Sequence, residues 1–488
     1  MKSVLQRLWT SPTVNTWAAF LARSLNLLLV SALVLPRFSE EETALWQMFA
    51  SLIQLQLLAD FGFNPTMVRL VAYAMGGAET IEGTGSGRPP AGLEPNWELL
   101  KRLAANMRWL YSRLAWGLVV LFAVAGTLAL LRRFDALAHP SLKTLAHSGV
   151  HTSVLHAWVA WGYIIFTTWV SFSSNSFAAF LQGTNHVALV RRWESIFGLG
   201  SIVSSAIAIW LTKSLLGVVV ANQIWFILAA FRNRWLASQV LDGRFADFPE
   251  PAHHPDIMKT AWPAAWRSGL GSLAYGTFQI ADLVVGQHRD SSVVASYLMV
   301  RRLANTINSA SQAPFYSRIP VYARLWAQHK KDELVVMVRR NMAFSLWAFV
   351  LPFALGVWLI PWGMKLIHSR TAFAGPQIWM AMGVALWFER YGAMHLQLFS
   401  VSHKVVSHIA QIGTAAIFAI LAAVGYPWLG VIALPLAMWV GNAGFFAGYA
   451  RMNSGRLFGL PFPGFDLATA LPPLIFLLAA GGLAIALR

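Results

Sequence analysis

Three polar side chains on one predicted helix face are the first candidates for chemistry in this sequence. Gln56, Asp60 and Asn64 follow one another at intervals of four residues within the apolar run 45–73, so a helix aligns them. A carboxylate inside a membrane costs about 2.5–3.5 kcal/mol and needs polar or wet surroundings. We therefore expect Asp60, with Gln56 and Asn64, to serve as a coupling-ion or counter-ion site.

A second group of polar residues is rich in arginine and lies within predicted spans. Guanidinium groups outnumber carboxylates there, and their planar fork suits phosphate. An anionic substrate is the functional interpretation. The predicted substrate-binding residues are Arg23, Arg267, Arg301, Arg302, Asn305, Asn308 and Gln312.

Structural roles are the alternative for these arginines. An arginine in a span can pair with a buried carboxylate, or its long stem can carry the charge to the membrane surface. Arg69, Arg318 and Arg390 lie near predicted span ends and are expected to have one of these two structural roles.

The composition is that of a membrane protein. Of 488 residues, 57% are hydrophobic and only 12% are charged, whereas a soluble domain has about 25% charged residues. The apolar runs are continuous, so the predicted fold class is an all-α integral membrane protein. The net charge of +17 does not indicate nucleic acid, because the basic residues lie mainly in short loops between spans.

A repeat links the helix of Asp60 to a later one. Pro65, Arg69, Tyr73 and Ala74 recur as Pro314, Arg318, Tyr322 and Ala323 at a constant offset of 249 residues. The repeat predicts two six-helix lobes related by internal duplication. Gly62 and Pro65 predict a kink or break in the first of these helices.

Hydropathy predicts twelve spans and a thirteenth apolar run at 467–487. More than half of the 37 Lys and Arg residues fall in segments that a cytoplasmic N-terminus places inside. The predicted domains are an N-terminal lobe at 1–244, a cytoplasmic linker at 245–263, a C-terminal lobe at 264–450 and an extra C-terminal span at 451–488. A cytoplasmic insertion at 75–106 is expected to be a flexible linker with an interfacial helix.

Motifs of soluble catalysis are absent from the sequence. It has no Walker A, HExxH or GxSxG pattern and no cysteine. His147 and His151 have a spacing that could hold a metal, but solvated loop histidines are the better interpretation. We expect no catalytic residues, no metal and no cofactor.

Three segments resemble the polysaccharide and O-antigen (Wzx-like) flippases of the multidrug/oligosaccharidyl-lipid/polysaccharide (MOP) exporter superfamily. They are Asp60-Phe-Gly62, then Leu181-Gln182-Gly183 followed by Arg191-Arg192, and the pair ADLVVG and YLMVRRLANTI of the seventh and eighth spans. The resemblance covers roughly 14–450.

The resemblance implies a function without covalent chemistry. A member of this group flips a polyprenyl-pyrophosphate-linked oligosaccharide across the bacterial inner membrane by alternating access, within membrane lipid, for export of surface polysaccharide. Proton or sodium coupling and contacts with polysaccharide assembly proteins are implied partners. A lipid II flippase and a drug/cation antiporter of the same superfamily are the alternatives, and a membrane glycosyltransferase or polymerase is a more distant one.

Overall fold

The computed structural model describes residues 34–77, 94–138, 153–288, 290–328, 330–401, 407–461 and 463–486. Helices joined by short turns make up these ranges, and no β-strand occurs in them. The all-α fold class is confirmed. Arg23, His147 and His151 lie outside the described residues, as do 78–93 of the predicted insertion and most of the first predicted span.

In the part of the chain that the structure describes, seven α-helices precede the middle of the sequence. In chain order they are α1 Glu40–Ala59, α2 Phe63–Met75, α3 Trp97–Ala138, α4 Val154–Ser173, α5 Asn175–Gly183, α6 Val187–Thr212 and α7 Leu215–Gln239.

Ten further helices follow in the described residues from 255 to 486. They are α8 Pro255–Val285, α9 Ser291–Ser311, α10 Ala313–Tyr316, α11 Ile319–Ala327, α12 Lys331–Leu366, α13 Pro376–Ser400, α14 Ser407–Leu429, α15 (Ala433–Gly441, the π-helical turn Asn442–Phe446 and Ala447–Phe458), α16 Gly464–Thr469 and α17 Leu471–Ala486.

The described chain divides into two compact units. Unit 1 includes 48–273, and unit 2 includes 34–47 and 274–486. The division falls inside α1 and inside α8, so it differs from the lobe boundaries that the spans predict. Those boundaries, at 244 and 263, stay a prediction.

The helix that carries Asp60 is broken where the sequence predicts a break. Phe61 and Gly62 both have positive φ, 48° and 70°, and this left-handed pair separates α1 from α2. Glycine adopts this conformation without strain, whereas a phenylalanine does so only when its surroundings enforce it. Gly269 on α8 lies so close that a Cβ there would stand 2.9 Å from the Phe61 carbonyl oxygen. The break is therefore a packed feature of unit 1.

The corresponding helix of the repeat is also interrupted near its proline. α9 ends at Ser311, and the short helix α10 begins at Ala313, directly before Pro314. Proline cannot donate the backbone hydrogen bond that would continue a helix. Both copies of the repeated segment thus consist of a long helix, a break and a shorter helix.

The core of unit 1 includes the stretch that the sequence predicts to be a linker. Phe245 is 1% exposed, and its ring contacts Phe180 of α5 at 4.8 Å. The Ala252 amide donates to the Ala105 carbonyl at 3.2 Å, and the His254 amide donates to Asn106 Oδ1 at 2.9 Å. Residues 245–254 are therefore fixed against α3 and α5 and do not form an open spacer.

Unit 2 is built around α13, which packs against α9, α12, α15 and α17. α14 turns back at Gly430, where φ is +61°, and packs along α15.

Asp290 caps α9 by accepting a hydrogen bond from the backbone N–H of Ser292 at 2.9 Å. Partial burial raises the pKa of Asp290, but hydrogen bonds from Ser292 and Val293 and the electrostatic interaction with His288 together hold the pKa below its usual value.

Six helical stretches in the described ranges are long and apolar enough to cross a membrane: Trp97–Ala138, Val154–Gly183, Val187–Thr212, Leu215–Gln239, Lys331–Leu366 and Ser407–Phe458. The chain is a multi-pass membrane protein. The helices at the other predicted spans contain more polar residues than these six stretches. α17 has 16 residues and is about 24 Å long, which is shorter than a bilayer core of about 30 Å.

Candidate functional site

Arg301 is half of a buried ion pair. Its Nε donates to Asp282 Oδ1 at 2.7 Å, and both side chains are 7% exposed. Its Nη2 also donates to the Phe278 carbonyl at 3.1 Å. These contacts join α9 to α8 within unit 2. A buried pair of this kind holds two helices together, and removal of one partner leaves a costly unpaired charge.

Arg302 has a different environment from its neighbour. Its guanidinium lies 4.5 Å from the centre of the Trp46 ring, and its Nη2 donates to the Gln47 carbonyl at 3.2 Å. Gln47 in turn donates to the Ala295 carbonyl at 3.1 Å. The first turns of α1 are thus fixed to α9 within unit 2. Nη1 of Arg302 is buried with no hydrogen-bond partner in the described part of the chain.

A polar cavity of about 240 Å³ lies within unit 2. Residues of α8, α9, α13, α14 and α15 form its wall. They are Phe278, Asn308, Ser309, Gln312, Glu389, Arg390, Ala393, Gln397, Gln411, Thr414, Asn442 and Phe446. Two of the predicted substrate-binding residues, Asn308 and Gln312, are among them. We refer to this space as the α13 cavity.

Arg390 connects the two predicted residues in the wall of the α13 cavity. Its Nε donates to Asn308 Oδ1 at 3.0 Å, and its Nη1 donates to Gln312 Oε1 at 3.4 Å. The side chain is 5% exposed and belongs to the middle of α13. Our expectation that Arg390 lies near a span end is wrong, because α13 continues ten residues beyond it.

Four of the predicted substrate residues that the structure describes do not line the α13 cavity. Arg267 is exposed on α8, and Asn305 is half-buried on α9. Arg301 and Arg302 have the protein partners described above, which fit the structural alternative that the sequence leaves open. Substrate binding by these four residues stays a prediction.

In unit 1 the three aligned polar residues have neutral partners. Asp60 Oδ1 accepts a hydrogen bond from the Tyr111 hydroxyl at 2.7 Å, and Asp60 Oδ2 accepts one from the backbone N–H of Asn64 at 2.9 Å. Gln56 donates to the Thr168 hydroxyl at 2.6 Å. Asp60 caps α2 at the helix break and joins it to α3. Asp60 is not the ion-pair partner of Arg301, which pairs with Asp282.

Three amide side chains of the cavity wall, those of Gln397, Gln411 and Asn442, were not identified from the sequence. They belong to three different helices, so no spacing within one helix reveals them. The adjacent charges Glu389 and Arg390 inside an apolar run were the available signal. In the described part of the chain, no group of three or more His, Cys, Asp or Glu residues could hold a metal ion. The assembled groups can bind and orient a ligand.

Comparison with known proteins relates the fold to transporters. No protein-family model and no curated protein matches the sequence. Among solved structures, the chain is similar to an inward-facing multidrug resistance MATE transporter of the MOP superfamily, with a TM-score of 0.65, 15% identity and coverage of 89% of this chain and 95% of that one. The chain has the fold of the MOP-superfamily transporters.

Two more structures with the MOP fold extend the comparison. The lipid II flippase MurJ in an inward closed conformation has a TM-score of 0.64 at 14% identity, over 96% of this chain and 92% of that one. A MOP-superfamily transporter from Pyrococcus furiosus, reported to have a binding pocket of reverse polarity, has a TM-score of 0.52 at 13% identity, over 93% and 97%. The MOP fold is thus found in proteins with different substrates, so the fold leaves the cargo open.

Proposed function

We propose that this protein moves a polyprenyl-pyrophosphate-linked oligosaccharide across the membrane by alternating access. The observation that carries the proposal is the α13 cavity, whose wall contains five side-chain amides together with Arg390. Amides and hydroxyls hydrogen-bond sugars, whereas a cavity for an apolar drug needs mainly hydrophobic walls. The MOP fold and its occurrence in the lipid II flippase MurJ also support the proposal.

Several parts of this proposal come from the sequence. The N-terminal lobe is 1–244, the linker 245–263, the C-terminal lobe 264–450 and the extra span 451–488. The protein resides in a bacterial inner membrane with its N-terminus in the cytoplasm, as the distribution of basic residues favours. Its cargo is a precursor of surface polysaccharide, its coupling ion is a proton or sodium, and it works beside polysaccharide assembly proteins.

A reconstitution assay tests the proposed function. The purified chain is placed in vesicles with a fluorescent polyprenyl-pyrophosphate glycan, and a membrane-impermeant reductant bleaches the label in the outer leaflet. We expect the protected inner pool to become accessible only in vesicles that contain the protein. A deletion strain should accumulate the same lipid-linked glycan on the cytoplasmic leaflet.

The same assay separates the rival functions. Movement of lipid II in preference to other lipid-linked glycans would make the protein a lipid II flippase. Efflux of a lipophilic cation dye, with no movement of any lipid-linked glycan, would make it a drug antiporter and would refute the proposal.

A further inference from the structure

The α13 cavity offers hydrogen-bond donors on the α9 side of its wall. The carbonyl oxygens of Asn308 and Gln312 accept from Arg390, so the amide nitrogen of each residue is left to donate. An amide has two N–H donors. Arg390 therefore fixes which end of each amide it engages and which end is left for a ligand.

Hydrogen-bond acceptors come from the other helices. Asn442 donates from Nδ2 to the Ala385 carbonyl at 3.0 Å, which leaves its Oδ1 as an acceptor. The Thr414 hydroxyl donates to the Ala410 carbonyl at 2.8 Å and keeps its lone pairs. Gln397 Oε1 is buried with no hydrogen-bond partner in the described residues. A buried acceptor without a partner is costly, and rotation of the Gln397 side chain toward the cavity would let a ligand hydroxyl satisfy it.

The charge of the cavity wall is balanced. Among the described lining residues, Glu389 and Arg390 contribute one formal charge of each sign, and the other polar ones are neutral. A cation site gathers oxygen ligands, and an anion site gathers N–H donors with excess positive charge. Donors and acceptors in mixture around a neutral space instead match hydroxyl groups, which both donate and accept.

Two aromatic rings supply the apolar part of the wall. Phe278 and Phe446 are each 7% exposed. The Phe278 ring contacts Phe418 at 4.6 Å, and the Phe278 carbonyl accepts from Arg301. The Arg301–Asp282 pair thus fixes the backbone that carries Phe278. The face of an aromatic ring carries partial negative charge, so it attracts the C–H groups on the apolar face of a sugar ring.

We infer that the α13 cavity binds one uncharged sugar residue of the cargo glycan, with the amides on its hydroxyls and the phenylalanine rings on its apolar face. This inference rests on the proposed function. A volume of about 240 Å³ equals that of about eight liquid water molecules at roughly 30 Å³ each, enough for one sugar ring. The pyrophosphate and the rest of the oligosaccharide bind elsewhere.

Binding of free glycosides to the purified full-length chain tests this inference without any transport step. The neutral probes are methyl glycosides of hexoses and of N-acetylhexosamines, and the charged probes are sodium pyrophosphate and sodium chloride. Saturation-transfer NMR and thermal unfolding in detergent report binding. We expect at least one neutral glycoside to bind, and Gln397→Leu and Gln411→Leu each to weaken its binding about five- to tenfold.

Gln377→Leu is the matched control, because Gln377 is exposed on the same helix as Gln397 and does not line the cavity. It should bind glycosides like the unmodified chain. If one cavity variant does not fold, the other carries the test.

Three results would overturn the inference: no glycoside binds, glycosides bind equally to the unmodified chain and both cavity variants, or only pyrophosphate or sodium stabilises the protein.

Failure of the proposed function gives a different combination of results in the binding and transport assays. A chain that binds glycosides through Gln397 and Gln411 but flips no lipid-linked glycan would refute the flippase and keep the sugar site. A chain that flips cargo but binds no glycoside would refute the sugar site alone.

Discussion

The Tyr111 hydroxyl donates a 2.7 Å hydrogen bond to Asp60 Oδ1, and this contact joins the broken helix of unit 1 to α3. The other carboxylate oxygen of Asp60 caps α2 by accepting a hydrogen bond from the backbone N–H of Asn64. Asp60 therefore has a structural function at the break, in addition to the coupling function that we propose.

Substitution of Asp60 by Asn separates these two functions. Asp60→Asn keeps a carbonyl oxygen for the cap but removes the charge, so we expect normal membrane insertion and slower transport. Tyr111→Phe keeps the charge and removes one hydrogen bond, which should cost about 1.5–3 kcal/mol of stability and slow transport less. Transport is measured over a range of pH and sodium concentration. Normal transport by Asp60→Asn under every condition would mean that the carboxylate couples no ion.

The Arg301–Asp282 pair is open to a double-mutant cycle. Arg301→Met alone leaves a buried carboxylate, Asp282→Leu alone leaves a buried guanidinium, and each should cost about 3–5 kcal/mol. The double variant Arg301→Met/Asp282→Leu should be more stable than the sum of the single effects predicts, because no charge is left unpaired. Thermal unfolding in detergent measures these effects.

Transport per folded molecule separates a structural Arg301 from a substrate-binding one. A structural role predicts that the folded double variant retains transport. A substrate-binding role predicts that it loses transport, and that Arg301→Lys transports at a rate between those of the unmodified chain and Arg301→Ala. Full transport by a well-folded Arg301→Ala/Arg302→Ala protein would exclude substrate binding by this pair.

Arg390 should control the polar wall of the α13 cavity. Arg390→Ala leaves the oxygens of Asn308 and Gln312 without their donor, so glycan transport should fall about tenfold or more. Arg390→Lys keeps the charge but not the fork, and its rate should be intermediate. Arg456→Ala, an exposed arginine on α15, is the control and should leave transport unchanged. Equal rates for all three variants would remove Arg390 from the site.

Gly183 should be intolerant of any side chain. A Cβ at this position would lie 2.6 Å from the Val71 side chain and 2.9 Å from the Val68 carbonyl oxygen, so α5 could not pack against α2. We expect Gly183→Ala to cost about 1–3 kcal/mol of stability. Gly162 on α4 has nothing within 4 Å of its Cβ position, so Gly162→Ala should be neutral or slightly stabilising. Similar melting temperatures for both variants would contradict the close packing of α2 and α5.

Cysteine labelling tests the predicted topology, because the chain has no native cysteine. Glu250→Cys and Ala372→Cys place single thiols at exposed positions in two loops. The distribution of basic residues predicts that an impermeant maleimide labels Ala372→Cys in intact cells and Glu250→Cys only after lysis. Labelling of Glu250→Cys in intact cells would overturn the two-lobe scheme, and labelling of both thiols there would also refute the odd number of spans predicted between them.

Local sequence features were sufficient to predict where helices form and that the helix of Asp60 is interrupted. Apolar runs predict where helices form because a membrane requires every backbone hydrogen bond to be made within a helix. Gly62 and Pro65 predict the break after Asp60 because their effects on φ and on backbone donors act within one turn of helix.

The partners of the polar residues were decided by the tertiary structure. The sequence identifies Arg301, Asp282, Asn308 and Arg390 as polar groups in apolar helices, but not that Arg301 pairs with Asp282 while Arg390 binds Asn308. Helical periodicity fixes which residues share a face, whereas contacts between helices depend on how the helices rotate and cross. The α13 cavity takes residues from five helices, and only their packing brings those residues together.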